Sequence, residues 1–442
     1  MSHDQINTTA DKRDSFDPIA YINTPRWNMV SPGLTRIAEL LEGLGNPQNR
    51  LRFVHVAGTN GKGSTCAMVA QILQEAGYTV GLFTSPYLIH FEERIRINGV
   101  PISLERLREV TIAVREVAET MVDHPTEFEL MTAVAFLYFA QEACDIVVAE
   151  VGLGGRLDST NCISTVEVSA IANISYDHKA LLGNTLAEIA GEKAGIIKQG
   201  IKVVSASQPQ EAWQVIAQRA QDLSAPLACV DLQALSGTNE SFAYKGRHHL
   251  SLTLAARYQV NNAALALEVI DVLRDSGWHI SEEAIYQGLK NTVWHGRFEV
   301  LRTNPTFIID GAHNSEGVDA LVDSLQSFYD QKIIFILGVM EDKDYPEMLE
   351  KILPLGKAFI AVQPNNPRAL SVYKLARSIR FTGQDLLGCS ACIRPYEAKT
   401  IEDGVRQALS LAEENDVICA CGSLYYLGDV VAALDTLDPK HS

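Results

Sequence analysis

The chain has 442 residues, of which 47% are apolar and 21% charged, with a formal net charge of -17. That length predicts two domains rather than one core, and the composition is that of a globular chain. The acidic balance argues against a broad basic face for nucleic acid while leaving room for a local cationic pocket.

The polar residues 1–17 read as a flexible tail without the apolar core of a signal peptide. A strand is predicted over 51–57, followed by a glycine-rich turn and a helix over 64–76. Strand 78–83, helix 103–121, the buried-type helix at 131–139 and strands 145–151, 166–174 and 201–205 continue the alternation. The apolar run 131–139 is too short to span a membrane, so none is expected as a partner. Residues 225–253 break the pattern and read as a small β excursion, with helices over 259–276 and 281–291 after it. A second series of strands follows at 307–310, 332–337, 358–362 and 416–421. The expected fold is therefore α/β. A phosphate-loop domain with a mainly parallel sheet and the β excursion occupies 18–296, and a Rossmann-like α/β domain occupies 297–442.

Eight cysteines sit mostly inside apolar segments, as reduced thiols do, which predicts the cytoplasm. Cys389 and Cys392 have CxxC spacing but no further Cys or His nearby to complete a zinc site, so they read as structural thiols.

The string Gly58-Thr59-Asn60-Gly61-Lys62-Gly63-Ser64-Thr65 lies between an apolar strand and a helix. Glycines let amide N–H groups turn toward anionic oxygens, the helix N-terminus adds its dipole, Lys62 adds a charge, and Ser64 or Thr65 a hydroxyl. This predicts nucleotide binding, although the spacing departs from the standard Walker string. Glu150 ends strand 145–151, and Asp177-His178 follow strand 166–174. Ligands in parallel α/β sheets sit beyond those strand ends, so Glu150 and His178 are candidate ligands for a metal or for phosphate. Lys193 falls on the apolar stripe of its helix between Gly191 and Gly195. A buried ammonium needs a partner, a lost proton or chemical change. An ion pair with Glu150 and carbamylation by CO2 both satisfy that need.

Taken in order, Gly58–Ser64, Thr84-Ser85-Pro86, Phe91–Gly99, Thr126–Glu129, Glu150–Asn161, Asp177-His178, Gly191–Ile196, Gly296–Glu299, Asp310–Asn314 and Gly422–Tyr425 resemble the folylpolyglutamate synthase family. That family includes a bifunctional dihydrofolate synthase form and belongs to the Mur ligase superfamily. The resemblance implies an ATP-dependent ligase that joins glutamate to reduced folates, with dihydropteroate left open as a further substrate. It implies one Mg2+ on Ser85 and Glu150, and a second on Glu150, His178 and carbamylated Lys193. A monovalent cation is a further open requirement. It also implies an ATP site of Gly58, Thr59, Asn60, Gly61, Lys62, Gly63 and Ser64, completed by Asn262, Arg297 and Asp310. Asp310, His313 and Ser423 would hold the incoming glutamate, and Thr126, Leu157, Asp158 and Ser159 the pterin, helped by part of loop 87–98. Where the family commonly shows Gly-x-His-Gln before Asn262, this chain reads Ala256-Arg257-Tyr258-Gln259.

The implied chemistry is transfer of the γ-phosphoryl group to a folate carboxylate, then attack by the glutamate amine, with Lys62, Glu150, His178, Lys193 and His313 as the catalytic set. Water must be excluded, so the C-terminal domain is expected to close about 296–299, in a monomer. A peptidoglycan-precursor ligase would need a substrate domain ahead of the phosphate loop, and Gly58 comes too early for one. A GTPase-type switch would need an Asn-Lys-x-Asp string, which the chain lacks.

Overall fold

The computed structural model describes residues 16–24, 33–387 and 393–437. Most of the expected tail and the Cys389–Cys392 pair lie outside these residues. The last part of that tail is fastened. Asp17 caps the helix Pro18–Ile22 by accepting from Ile19 and Ala20 N–H, and the Phe16 carbonyl accepts from Arg108 Nε at 2.9 Å.

The first sheet comprises β1 (Phe53–Ala57), β2 (Val80–Phe83), β3 (Ile95–Ile97), β4 (Val100–Pro101), β5 (Ile146–Glu150), β6 (Val166–Ile171), β7 (Val203–Ser205) and β8 (Leu227–Cys229). Its order is β4-β3-β2-β5-β1-β6-β7-β8. The β3 and β4 hairpin turns at Asn98-Gly99 and joins antiparallel, while every other pairing is parallel. Parallel strands covered on both faces read as continuous apolar runs, and β1 and β5 are buried at every position. The expected β excursion splits in two. Its first run is β8, an edge strand of the large sheet. The rest forms an antiparallel sheet of β9 (Leu235–Thr238), β10 (Ser241–Tyr244) and β11 (Arg247–Leu250).

A second sheet follows, with β12 (Glu299–Thr303), β13 (Thr306–Ile309), β14 (Ile333–Leu337), β15 (Gly356–Ala361), β16 (Tyr396–Glu397) and β17 (Val417–Cys421), ordered β12-β13-β17-β14-β15-β16. Only the β12–β13 pair is antiparallel. We call the parts carrying the two sheets the first and second lobes.

The helix after the phosphate loop, Lys62–Glu75, lies in the larger core of the first lobe with Met68, Val69, Ile72 and Leu73 fully buried. Helix Glu282–Asn291 packs on it so closely that a Cβ at Gly288 would sit 2.5 Å from Ile72 Cα. That contact fixes the axis of the helix whose N-terminus faces the site. Among the described residues no helix is long and apolar enough to cross a membrane.

Candidate active site

Strand β1 ends at Ala57, and the chain then turns through Gly58 and Gly61 before Lys62 starts its helix. Gly61 has φ +86, and a Cβ there would lie 2.3 Å from Asn262 Oδ1, so both conformation and space demand glycine. The loop is anchored to the segment after β6. Thr59 N–H donates to the Asn173 carbonyl at 2.7 Å, and its hydroxyl both donates to and accepts from Ser175 at 3.1 Å. Ser64 and Thr65 are buried in the first helical turn.

Three polar atoms near the loop are buried without a hydrogen-bond partner among the described residues: Thr65 Oγ1, Asn173 Oδ1 and Gln259 Nε2. Burying such groups unpaired costs about 1–3 kcal/mol each, which suits a region built to receive a polar ligand.

Glu150 ends β5 with 5% of its surface exposed. Its Oε2 accepts from Ser85 N–H at 3.2 Å and its Oε1 lies 3.9 Å from Lys62 Nζ. Burial raises its pKa, and Lys62 only partly offsets that. Ser85, Glu150, Gly63, Trp294, His295 and Arg297 line one cleft between the lobes. The Glu150 carboxylate and the neighbouring Ser85 are oxygen donors of the kind that a hard cation such as Mg2+ takes. Arg297 Nη1 donates to the Gly296 carbonyl at 3.1 Å.

Lys193 is on the inward face, as its helical position predicts, with 3% exposure. The expected ion pair with Glu150 is not formed. Lys62 takes that place, and Lys193 Nζ donates to the Gly58 carbonyl at 2.8 Å. Burial, with the nearby Lys62 charge, brings its pKa down to about 7.

His178 caps a short helix, Lys179–Leu182, with φ +48. Its Nε2 lies 3.4 Å from Lys343 Nζ and 3.9 Å from Asp177 Oδ2. Burial takes its pKa down to about 4. Among the described residues no hydrogen bond or ion pair joins His178 or Lys193 to Glu150, and no group of three His, Cys, Asp or Glu side chains assembles for a metal. His178 instead lies beside Asp177 and Lys343, and Lys193 donates to the Gly58 carbonyl.

Two polar knots tie the lobes close to the phosphate loop. In one, Asn60 Nδ2 donates to Glu316 Oε2 at 2.8 Å and Asn314 Oδ1 at 3.2 Å, while Asn314 Nδ2 donates back to Asn60 Oδ1 at 3.0 Å. In the other, Lys343 Nζ reaches Asp177 Oδ1 at 2.5 Å, with His313 Nε2 3.4 Å from Asp177 Oδ2. Although burial opposes it, His313 and Lys343 hold the Asp177 carboxyl well below the usual carboxylate range.

Asp310 is buried and accepts from Phe298 N–H and Ala312 N–H at 2.7 Å and from Tyr258 hydroxyl at 2.9 Å. Tyr258, the departure from the family string, thus braces the lobe junction. Burial lifts the pKa of both groups. His313 Nδ1 contacts the Gly311 carbonyl at 2.8 Å. Asn262 Nδ2 donates to Gln259 Oε1 at 2.9 Å. Ser423 Oγ is buried and accepts from Tyr425 N–H.

Of the expected pterin residues, Thr126 caps helix Glu127–Gln141 in a reciprocal box with Glu129. The Phe128 ring rests on Gly152, where a Cβ would lie 2.4 Å away, so this helix start abuts the loop after β5. Asp158 is spent within that loop, accepting from Leu153 N–H, Thr160 N–H and Thr160 hydroxyl. Ser159 is buried, and Leu157 is 37% exposed.

Sequence reasoning missed Asn314, Lys343 and Trp294 as site residues. Trp294 packs on the phosphate loop, 3.0 Å from where a Gly63 Cβ would stand. A Trp beside Gly296-Arg297, where the sequence places the lobe boundary, was the available signal for the last.

The Mur ligase middle domain matches residues 56–270, and the Mur ligase glutamate ligase domain matches residues 296–424. The chain is 40% identical over 419 residues to the dihydrofolate synthase/folylpolyglutamate synthase of Bacillus subtilis, covering 91% of this chain and 94% of that protein. It superposes with a TM-score of 0.83 and 31% identity on Mycobacterium tuberculosis folylpolyglutamate synthase complexed with ADP and AMPPCP, covering 92% of this chain and 95% of that one. The E. coli FolC complex with DHPP and ADP gives a TM-score of 0.83 at 27% identity, covering 95% and 97%.

Proposed function

The chain belongs to the folylpolyglutamate synthase/dihydrofolate synthase family of Mur ligases, ATP-dependent enzymes that join glutamate to folates, and from that premise we propose how its residues divide the work. ATP's phosphates lie on the loop Gly58–Ser64, with the helix dipole and Lys62 offsetting charge that spreads as the γ-phosphoryl group moves to the folate γ-carboxylate. Asn262, Arg297 and Asp310 hold the nucleotide from the lobe junction, Asp310 by positioning Tyr258 and the Phe298 amide. Mg2+ would be held by Ser85 and Glu150, and supplies charge neutralisation at the phosphates when bound. A second ion on Glu150, His178 and carbamylated Lys193 requires His178 to leave Asp177 and Lys343.

Attack by the L-glutamate amine on the acyl phosphate then releases phosphate. His313 and Ser423 orient that glutamate, while Thr126 and Leu157–Ser159 shape the pterin end. The polar knots between the lobes keep water out during the lifetime of the acyl phosphate. The chain acts as a monomer, since it supplies both walls of its own cleft, and its buried free thiols Cys66, Cys144 and Cys419 support the cytoplasm as its compartment.

The observation that carries this reading is that Gly63, Ser85, Glu150 and Arg297, drawn from distant parts of the sequence, line a single cleft. The test offers tetrahydrofolate and dihydropteroate separately with ATP, Mg2+ and labelled L-glutamate, and identifies products by mass. The expected result is a glutamyl adduct of tetrahydrofolate with stoichiometric ADP and phosphate. ATP turnover indifferent to the pterin and to glutamate would refute it.

A further inference from the structure

Arg96 lines the cleft with Ser85, Glu150, Trp294, His295 and Arg297, and beyond its place in loop 87–98 it has been given no role of its own. Its guanidinium is held in place but not consumed. Nε donates to the Glu93 carbonyl at 3.0 Å, and Cζ sits 5.6 Å from the centre of the Trp294 ring, which is itself backed by Gly63. Both form the wall between the cleft and a second groove.

The one carboxylate within ion-pair distance of Arg96 among the described residues is Glu93, at 3.8 Å. That carboxylate already accepts from the Leu88, Ile89 and His90 amides at 3.0, 3.1 and 2.8 Å. Arg96, with a side chain 17% exposed, therefore retains N–H groups in the fork geometry that a carboxylate fills.

We propose that Arg96, braced by Trp294, binds the non-reacting α-carboxylate of the folate's terminal glutamate and so turns its γ-carboxylate toward the phosphate loop. The inference rests on the folate reading given above. It follows from the substrate's chemistry. A glutamyl folate brings two carboxylates into the cleft, only one of which reacts, and the other needs a cation that is not spent on phosphate. A pteroate lacks that second group, so Arg96 separates glutamyl from non-glutamyl substrates.

The test compares wild type, Arg96→Ala and Arg96→Lys by calorimetric titration with pteroylmonoglutamate and with pteroate, both in the presence of ADP, together with steady-state KM for L-glutamate. Losing a charge-assisted contact should weaken pteroylmonoglutamate binding about ten- to hundredfold in Arg96→Ala. Pteroate affinity and the KM for L-glutamate should stay unchanged, and Arg96→Lys should recover part of the loss. Equal weakening toward both pterins would overturn the proposal by making Arg96 a general support of the site. A rise confined to the KM for L-glutamate would overturn it by giving Arg96 to the incoming amino acid. Wild type that binds neither pterin would bring down the folate reading itself, and this inference with it.

Discussion

Replacing Lys343 by Met removes the cation that crosses from the second lobe to Asp177. The two groups are 2.5 Å apart and their side chains are 8% and 9% exposed, so the pair is screened little by solvent. Breaking a buried pair by removing one partner costs about 3–5 kcal/mol, because the other charge is stranded. Asp177 keeps His313 at 3.4 Å and an amide of Asn314 at 3.3 Å, which lowers the expected cost to about 2 kcal/mol, or roughly thirtyfold in kcat/KM. Asp177→Asn should cost a similar amount, and the double variant little more than either alone. A cycle over kcat/KM for the four proteins reads the coupling directly, and the contact geometry requires about 1.5 kcal/mol or more. Additive effects within about 0.5 kcal/mol would show that the two groups do not act on each other in the working enzyme, and the assignment of this knot to lobe closure would fall.

Gly61→Ala forces a side chain onto a backbone at φ +86 and onto Asn262 Oδ1 at 2.3 Å. ADP affinity should drop at least about tenfold by calorimetry, and unchanged affinity would show that the loop does not hold nucleotide in this conformation. Lys193→Ala should abolish turnover in a protein that still melts cooperatively, with partial recovery in added short carboxylates. Full activity without them would end any role for Lys193 in the chemistry. The hinge clasp pairs His295 Nδ1 with Glu299 Oε1 at 2.8 Å, and the bond to Glu299 raises the His295 pKa. A raised folded-state pKa stabilises fully below the unfolded value of about 6.5 and is lost as pH rises through the folded one. The melting-temperature gap between wild type and His295→Gln should therefore be largest near pH 6 and close toward pH 9. With His295 half exposed, the contribution stays below about 1 kcal/mol, and a gap that widens with pH would contradict the assignment.

The parallel strands were legible because burial on both faces writes an unbroken apolar run, as in Phe53–Ala57 and Ile146–Glu150. Strand Glu299–Thr303 escaped notice because it is an antiparallel edge with no fully buried residue and charged side chains at both Glu299 and Arg302. The hairpin at Asn98-Gly99 carried a turn signal that could have been used. Within the site, Lys62 and Glu150 could be placed because one follows a strand and the other ends one, and the inward position of Lys193 followed from helical period. Its partner did not, since sequence gives no distances, and the nearer Lys62 occupies Glu150. Lys343 was hidden in Glu341-Asp342-Lys343-Asp344, which reads as a solvated charged loop. Only folding brings it to a carboxylate 166 residues away.

The tie between Asn60 and Asn314 has a bearing on how the catalytic cycle ends. The phosphate loop is stitched to the opposite lobe by an amide pair, so a nucleotide that left by parting the lobes would have to break that pair first. Were that parting slower than bond making, exit of the product would set the pace of repeated rounds. Solvents that thicken the medium would slow such an enzyme without touching its chemistry.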